Sequence, residues 1–268
     1  MKYIKVFGER NTGTNFLVEL LDSNTNLRHL IHRDKTRNRA ELNKLVSAYP
    51  RLKKSEISRK IILERITDAK REKDFLNNFG WKHAAINSDK MEKSDLFQDT
   101  LFLCLIRNPW RFISALHKRP YNYLPKAKKE LRSFIQSPLI TTTRDGLEES
   151  LLNTPVDLWN KKVASYQHFK RVHPERVMIL YYEEIMNDID HFLLELKPFC
   201  KVSKQTKIPI SSTKKDKKTF NDYRREVQLY SPLESIGAKC TKLIAKKLDK
   251  RIFNQTIYKK LSNFKDIC

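Results

Sequence analysis

Three short stretches carry residue types at spacings suited to handling anions and moving a proton. The first is Gly8-Glu9-Arg10-Asn11-Thr12-Gly13-Thr14-Asn15, which follows a β-rich run from Lys2 to Phe7 and leads into an apolar segment from Phe16 to Leu21. A strand that enters a helix through a glycine-containing turn aims backbone N–H groups at one spot. The helix N-terminus adds unpaired donors and the positive end of its dipole, so phosphate binds there. Arg10 places a cation inside the turn. The second stretch is Gly80-Trp81-Lys82-His83-Ala84-Ala85-Ile86, read as a short β-like run in which Lys82 sets a cation beside His83. Imidazole accepts a proton near neutral pH more readily than any other side chain. The third is Arg107-Asn108-Pro109, with Ser114 and Lys118 further along. A guanidinium at the C-terminal end of a strand, with a hydroxyl on the helix that follows, makes a second phosphate site.

The first stretch invites comparison with a nucleotide P-loop. Gly8 and Gly13 have the spacing of G-x-x-x-x-G-K-[ST], but Thr14 and Asn15 stand where that motif has lysine and a hydroxyl residue. The lysine that reaches the outer phosphates is missing, and Asn15 is not the usual hydroxyl ligand for Mg²⁺. Such a turn is expected to cradle phosphate without metal, which suits a phosphosulfate donor better than ATP. An ordinary strand-to-helix turn fits the same residues.

The elements that must position these groups follow in chain order. Thr100 to Ile106 is almost continuously apolar, as in a parallel strand buried on both faces. Asn108 can cap the next helix and Pro109 suits its first turn. Leu158 to Val172 reads as an amphipathic helix, Arg176 to Tyr182 as a strand, Ile185 to Phe199 as a helix and Ile236 to Leu248 as a lysine-rich helix. Between the first two motifs, residues 24–79 read as a mostly helical insertion, and 203–268 as a basic C-terminal segment that includes the Lys214 to Lys218 cluster.

Composition narrows the classes. The chain has 268 residues and a formal net charge of +23, a field that attracts polyanions such as nucleic acid, an anionic membrane or an acidic glycan. Cys104, Cys200, Cys240 and Cys268 form no C-x-x-C pair, so neither a zinc site nor a disulfide framework is expected. His29 and His32 stand three apart, but the further ligands that a metal site needs are not evident in the sequence. No apolar run approaches roughly 18 residues, and the charged N-terminus lacks the apolar core of a secretion signal. A cytoplasmic location is the expectation.

Together, and in this order, the motifs resemble the sulfotransferase family that uses 3′-phosphoadenosine 5′-phosphosulfate (PAPS). The Gly8 to Asn15 turn looks like its 5′-phosphosulfate loop, and Leu105-Ile106-Arg107-Asn108-Pro109 with Ser114 and Lys118 looks like its 3′-phosphate strand and helix. Gly80 to His83 is similar to the segment carrying a basic residue and the catalytic histidine, while Trp159-Asn160 and Tyr181-Tyr182-Glu183-Glu184 resemble later family elements. The match spans about residues 2–200. It departs in three places. Arg10 stands where many members have lysine. Ser114 is the seventh residue after Arg107, where the family serine is usually the eighth, and no glycine-rich C-terminal phosphate loop is evident.

The resemblance implies a central, mostly parallel sheet flanked by helices, in one sulfotransferase-like domain over 1–268. It implies PAPS as donor, phosphoadenosine phosphate (PAP) as product, no metal, and an acceptor hydroxyl on a carbohydrate or glycolipid. His83, Lys82 and Arg10 would be catalytic. Arg10, Asn11, Thr12, Gly13, Thr14, Asn15, Arg107, Ser114, Lys214 and Lys215 would hold the donor. The alternatives are a P-loop-like kinase or NTPase, and a basic nucleic-acid-binding protein without catalysis. The kinase reading lacks its lysine. The nucleic-acid reading lacks a helix-turn-helix, zinc-finger or RRM signature.

Overall fold

The sheet is built around the apolar stretch at its centre. In a computed structural model describing residues 1–30, 43–44, 47–48, 62, 66, 68–69, 72–120, 130–209 and 218–258, β1 (Tyr3–Gly8), β2 (Arg28–His29), β3 (Thr100–Ile106) and β6 (Val177–Tyr181) form a parallel sheet in the order β2-β1-β3-β6. A separate antiparallel pair joins β4 (Leu139–Ile140) and β5 (Leu151–Leu152).

Every residue of β3 is buried, and its side chains alternate between two cores. Phe102, Cys104 and Ile106 join Phe7 in one cluster, and Leu101, Leu103 and Leu105 join Ile4 and Val6 in the other. The first cluster packs under α4 (Pro109–Lys118) and α6 (Pro155–Val172). The second packs against α1 (Thr14–Asn24), α7 (Tyr182–Asn187) and α8 (Ile189–Glu195). Shorter helices are α2 (Phe75–Asn78), α3 (Ser88–Glu92) and α5 (Leu131–Ile135). The C-terminal segment supplies α9 (Phe220–Gln228), α10 (Pro232–Lys247), kinked at Gly237, and α11 (Lys250–Phe253). Its Tyr258 is fully buried in the first core.

β2 lies on one side of β1 and β3 on the other, so the topology reverses between β1 and β3. Open α/β sheets bind ligands in the crevice at such a reversal, beyond the strands' carboxyl ends. Gly8 and Ile106 end these two strands, which delivers the Glu9 to Gly13 loop and Arg107 to one place.

Three expectations change. Gly80 to Ile86 is a turn and extended loop rather than a strand, because its backbone groups go to other partners. Ala84 N–H returns to Trp81 O, Ala85 N–H goes to Asp145 O, and the Gly80 carbonyl accepts from the buried Lys5 ammonium. The helix expected from Ile185 to Phe199 is broken at Asp188, whose side chain accepts from His191 N–H and caps α8. The last helix begins earlier than expected, at Pro232, with Ser231 as its cap. Most of the 24–79 stretch, and the Lys214 and Lys215 pair, lie outside the described residues; β2 belongs to that stretch and joins the sheet.

Candidate active site

The loop after β1 is shaped to offer its backbone. Asn11 and Gly13 adopt positive φ, 64° and 93°, and α1 starts at Thr14 with no side chain capping it. The first-turn N–H groups therefore have no intrahelical acceptor. Thr12 closes the loop by donating its N–H (3.2 Å) and its hydroxyl (2.5 Å) to the Glu9 carbonyl. Tyr182 covers Gly13 closely: a Cβ there would lie 2.6 Å from its ring.

His83 is locked to this loop. Its Nδ1 lies 2.5 Å from the Gly8 carbonyl, and Gly8 N–H donates to Lys82 O at 2.9 Å. A carbonyl only accepts, so Nδ1 carries the hydrogen and the neutral ring presents a basic Nε2. Burial, above all, holds the imidazole well below its ordinary pKa. The Lys82, Arg10 and Lys162 charges act in the same direction, against the bond to Gly8. This environment favours the neutral ring over the imidazolium. Lys82 donates to Asn15 Oδ1 at 2.5 Å, which joins the turn to the start of α1. The Trp81 ring lies edge-on to His83 at 5.0 Å, with the Arg10 and Arg144 guanidiniums 4.6 and 4.9 Å from its centre.

Arg107 lies on the other side of the loop. Its Nη1 donates to the Asn11 carbonyl, and its guanidinium stacks on Tyr182 at 4.8 Å. Trp159 Nε1 donates to the Arg107 carbonyl at 2.9 Å and holds the backbone. Asn108 caps α4, accepting from the N–H groups of Trp110 (3.1 Å) and Arg111 (3.3 Å). Ser114 is half-buried on α4, three residues from Arg111 and so on the same face.

The structure therefore brings Arg10, Asn11, Thr12, Gly13, Thr14, Asn15, Lys82, His83 and Arg107 around one loop, whereas among the described residues no hydrogen bond joins Ser114 to Arg107. Two further residues lie near the site: Arg111, which was not singled out from the sequence, and Glu183, which stood in the Tyr181 to Glu184 stretch noted there. Arg111 is buried, donates to Glu226 O at 2.9 Å and stacks on Tyr230 at 4.8 Å. Glu183 lies 3.8 Å from Arg111 Nε and accepts from Tyr258 Oη at 2.6 Å. An arginine inside the otherwise apolar Pro109 to Ile113 run was the available signal for Arg111; Arg144 and Lys162 gave none.

Two buried donors point toward an anionic ligand. Asn11 Nδ2 and Arg107 Nε have no hydrogen-bond acceptor among the described residues. A phosphate or sulfate oxygen satisfies such donors, so these residues fit a donor with phosphate groups. Among the described residues no cluster of three or more His, Cys, Asp or Glu is arranged to hold a metal ion. No helix among them is long and apolar enough to cross a membrane.

Strand, loop, helix, imidazole and strand-end arginine together form a P-loop-like α/β arrangement around one anion-binding turn. A model of the sulfotransferase domain matches residues 4–253, and the chain belongs to the sulfotransferase family. A search of curated proteins finds no match.

Proposed function

We propose that the protein transfers the sulfuryl group of PAPS to an acceptor hydroxyl on a carbohydrate or glycolipid. The observation that carries this reading is the contact between His83 Nδ1 and the Gly8 carbonyl. It leaves Nε2 as a base beside a phosphate-type loop. Family membership supports sulfuryl transfer, and the two unpaired buried donors support a donor with phosphate at both ends.

Bound there, PAPS supplies an activated sulfuryl group, with PAP as the leaving group. Each residue then has a definable task. The N–H groups of Gly13 to Asn15, with Asn11, Thr12 and Arg10, hold the 5′ end. Arg107 holds the 3′-phosphate with its planar fork, its backbone fixed by Trp159 and its guanidinium plane by the Tyr182 ring. Ser114 adds a hydroxyl to that site, and Lys214 and Lys215 add cations from the C-terminal segment. His83 Nε2 takes the acceptor proton. Arg10 and Lys82 stabilise the charge that grows on the sulfuryl and bridging oxygens. The net charge of +23 favours anionic or extended acceptors.

The test is transfer of labelled sulfuryl from PAPS to a panel holding a neutral disaccharide, an anionic polysaccharide and a galactolipid. Transfer abolished in His83→Ala, with PAP binding kept, is the expected result. Binding of ATP–Mg²⁺ in place of PAP would overturn the reading in favour of a kinase.

A further inference from the structure

Helix α6 places three side chains against the turn that carries His83. Lys162, Ser165 and Tyr166 are spaced i, i+3, i+4 and so share one face. Lys162 is only 1 % exposed, and its ammonium donates to the His83 carbonyl at 2.5 Å and the Asp145 carbonyl at 2.7 Å. It also lies 3.4 Å from Glu9 Oε2 and 3.6 Å from Asp145 Oδ1. Ser165 Oγ accepts from Ile86 N–H at 3.1 Å, and Tyr166 Oη donates to the Ala84 carbonyl at 3.5 Å.

Burying an ammonium is unfavourable unless its donors and its charge are satisfied. Here two carbonyls and two carboxylates do so, and they come from three segments distant in sequence. Glu9 belongs to the phosphate-type loop, and its other oxygen accepts from Arg10 N–H at 2.7 Å. His83 belongs to the base-carrying turn. Asp145 closes a capping box with Thr142, and its carbonyl also accepts from Ala85 N–H. A second buried ammonium, Lys5, fixes the start of the same turn through the carbonyls of Asn78 (2.5 Å) and Gly80 (2.7 Å).

We propose that Lys162 is a positioning residue for His83, linking the base-carrying turn to the anion-binding loop so that imidazole and loop keep a fixed separation. This rests on the reading of His83 as the base. A neutral residue of similar length would leave the His83 carbonyl without that donor and Glu9 without the stronger of its two positive neighbours, Lys162 and Arg10. The peptide would turn toward another partner and carry the ring with it. The charge matters as well. The positive charges of Arg10, Lys82 and Lys162 each oppose protonation of the imidazole, while the Glu9 and Asp145 carboxylates lie beside Lys162.

The test compares wild type, Lys162→Met and Ser165→Ala. Turnover is measured against pH, PAP affinity is measured separately, and the His83 ring is followed by long-range ¹H–¹⁵N NMR in the ligand-free protein. Lys162→Met is expected to lower kcat about 10- to 100-fold, as misplacement of a reacting group by about 1 Å does. The acid limb of its pH profile and the His83 titration are expected to move upward together, with PAP affinity changed far less than kcat. Should Lys162→Met fail to fold, Ser165→Ala carries the test by loosening the same turn without altering charge. It is expected to lower kcat and shift the His83 ring resonances, leaving the acid limb in place. Wild-type kcat with unmoved His83 resonances, in whichever variant folds, overturns the proposal. If His83→Ala keeps turnover while Lys162→Met still moves the His83 resonances, the base assignment falls and the link between turn and loop stands.

Discussion

Replacing Gly13 by alanine tests the packing of the anion-binding loop, and its cost divides into two parts. Gly13 has φ 93° and ψ 12°, a left-handed conformation that costs an L-residue about 1–2 kcal/mol. The added Cβ would also stand 2.6 Å from two carbons of the Tyr182 ring. Carbon atoms rest about 3.5–4.0 Å apart, so the ring must retreat by about 1 Å. Overpacking of this kind costs about 1–3 kcal/mol. The total is about 2–5 kcal/mol, or roughly 4–9 °C in Tm for a chain this size. Gly237→Ala serves as the control. Its φ is 77°, yet a Cβ there meets nothing within 4 Å, so only the backbone cost of about 1–3 kcal/mol applies. Moving Tyr182 also moves the Arg107 guanidinium stacked on it, so Gly13→Ala is expected to weaken PAP at least tenfold, about 1.4 kcal/mol. Thermal melts and PAP titration of both variants decide the matter. Equal melting shifts, together with wild-type PAP affinity in Gly13→Ala, would refute the contact between Tyr182 and the loop.

Four further outcomes follow from the same geometry. His83→Ala should lower turnover about 10²- to 10⁴-fold with PAP affinity kept, measured by steady-state kinetics and calorimetry. His83 is held below its ordinary 6.5 in the folded protein, so the unfolded chain binds its proton first as pH falls. The stabilisation is therefore complete above pH 6.5 and is lost below it, by up to about 1.36 kcal/mol per pH unit, and denaturant titrations of His83→Gln should lack that one-proton slope. Arg107→Lys loses both the fork and the stacking on Tyr182, and should raise the PAP Kd about 10- to 100-fold in a direct binding assay. Asn108→Ala removes the cap of α4, and urea melts should show a loss of about 0.5–2 kcal/mol.

What could be read from the sequence was local. β3 declared itself because a strand buried on both faces must be apolar throughout, and α4 because Asn108 and Pro109 mark a helix start. The Gly8 to Asn15 turn, Lys82, His83 and Arg107 were each visible as chemistry-bearing residues, and the sheet reversal explains why they meet. The rest depended on distant partners. Gly80 to Ile86 has the composition of a strand, but Lys5, Gly8, Asp145 and Ser165 take its backbone groups, so no ladder forms. Lys162 has the look of a solvated lysine on an amphipathic helix. Only the placement of Glu9 and Asp145 makes it buried. The break at Asp188 was hidden because the flanking residues are apolar at helical spacing on both sides.

The central claim is that the cradle selects a donor with phosphate at both ends. The most direct measurement is thermal stability with PAP, with adenosine 5′-phosphosulfate, which lacks the 3′-phosphate, and with ATP–Mg²⁺, all at one ionic strength. PAP at about 100 times its Kd is predicted to stabilise the protein by about 2.7 kcal/mol, in an Arg107-dependent manner, with adenosine 5′-phosphosulfate and ATP–Mg²⁺ well behind. Stabilisation by ATP–Mg²⁺ but not by PAP, or a PAP response unchanged in Arg107→Ala, would contradict it.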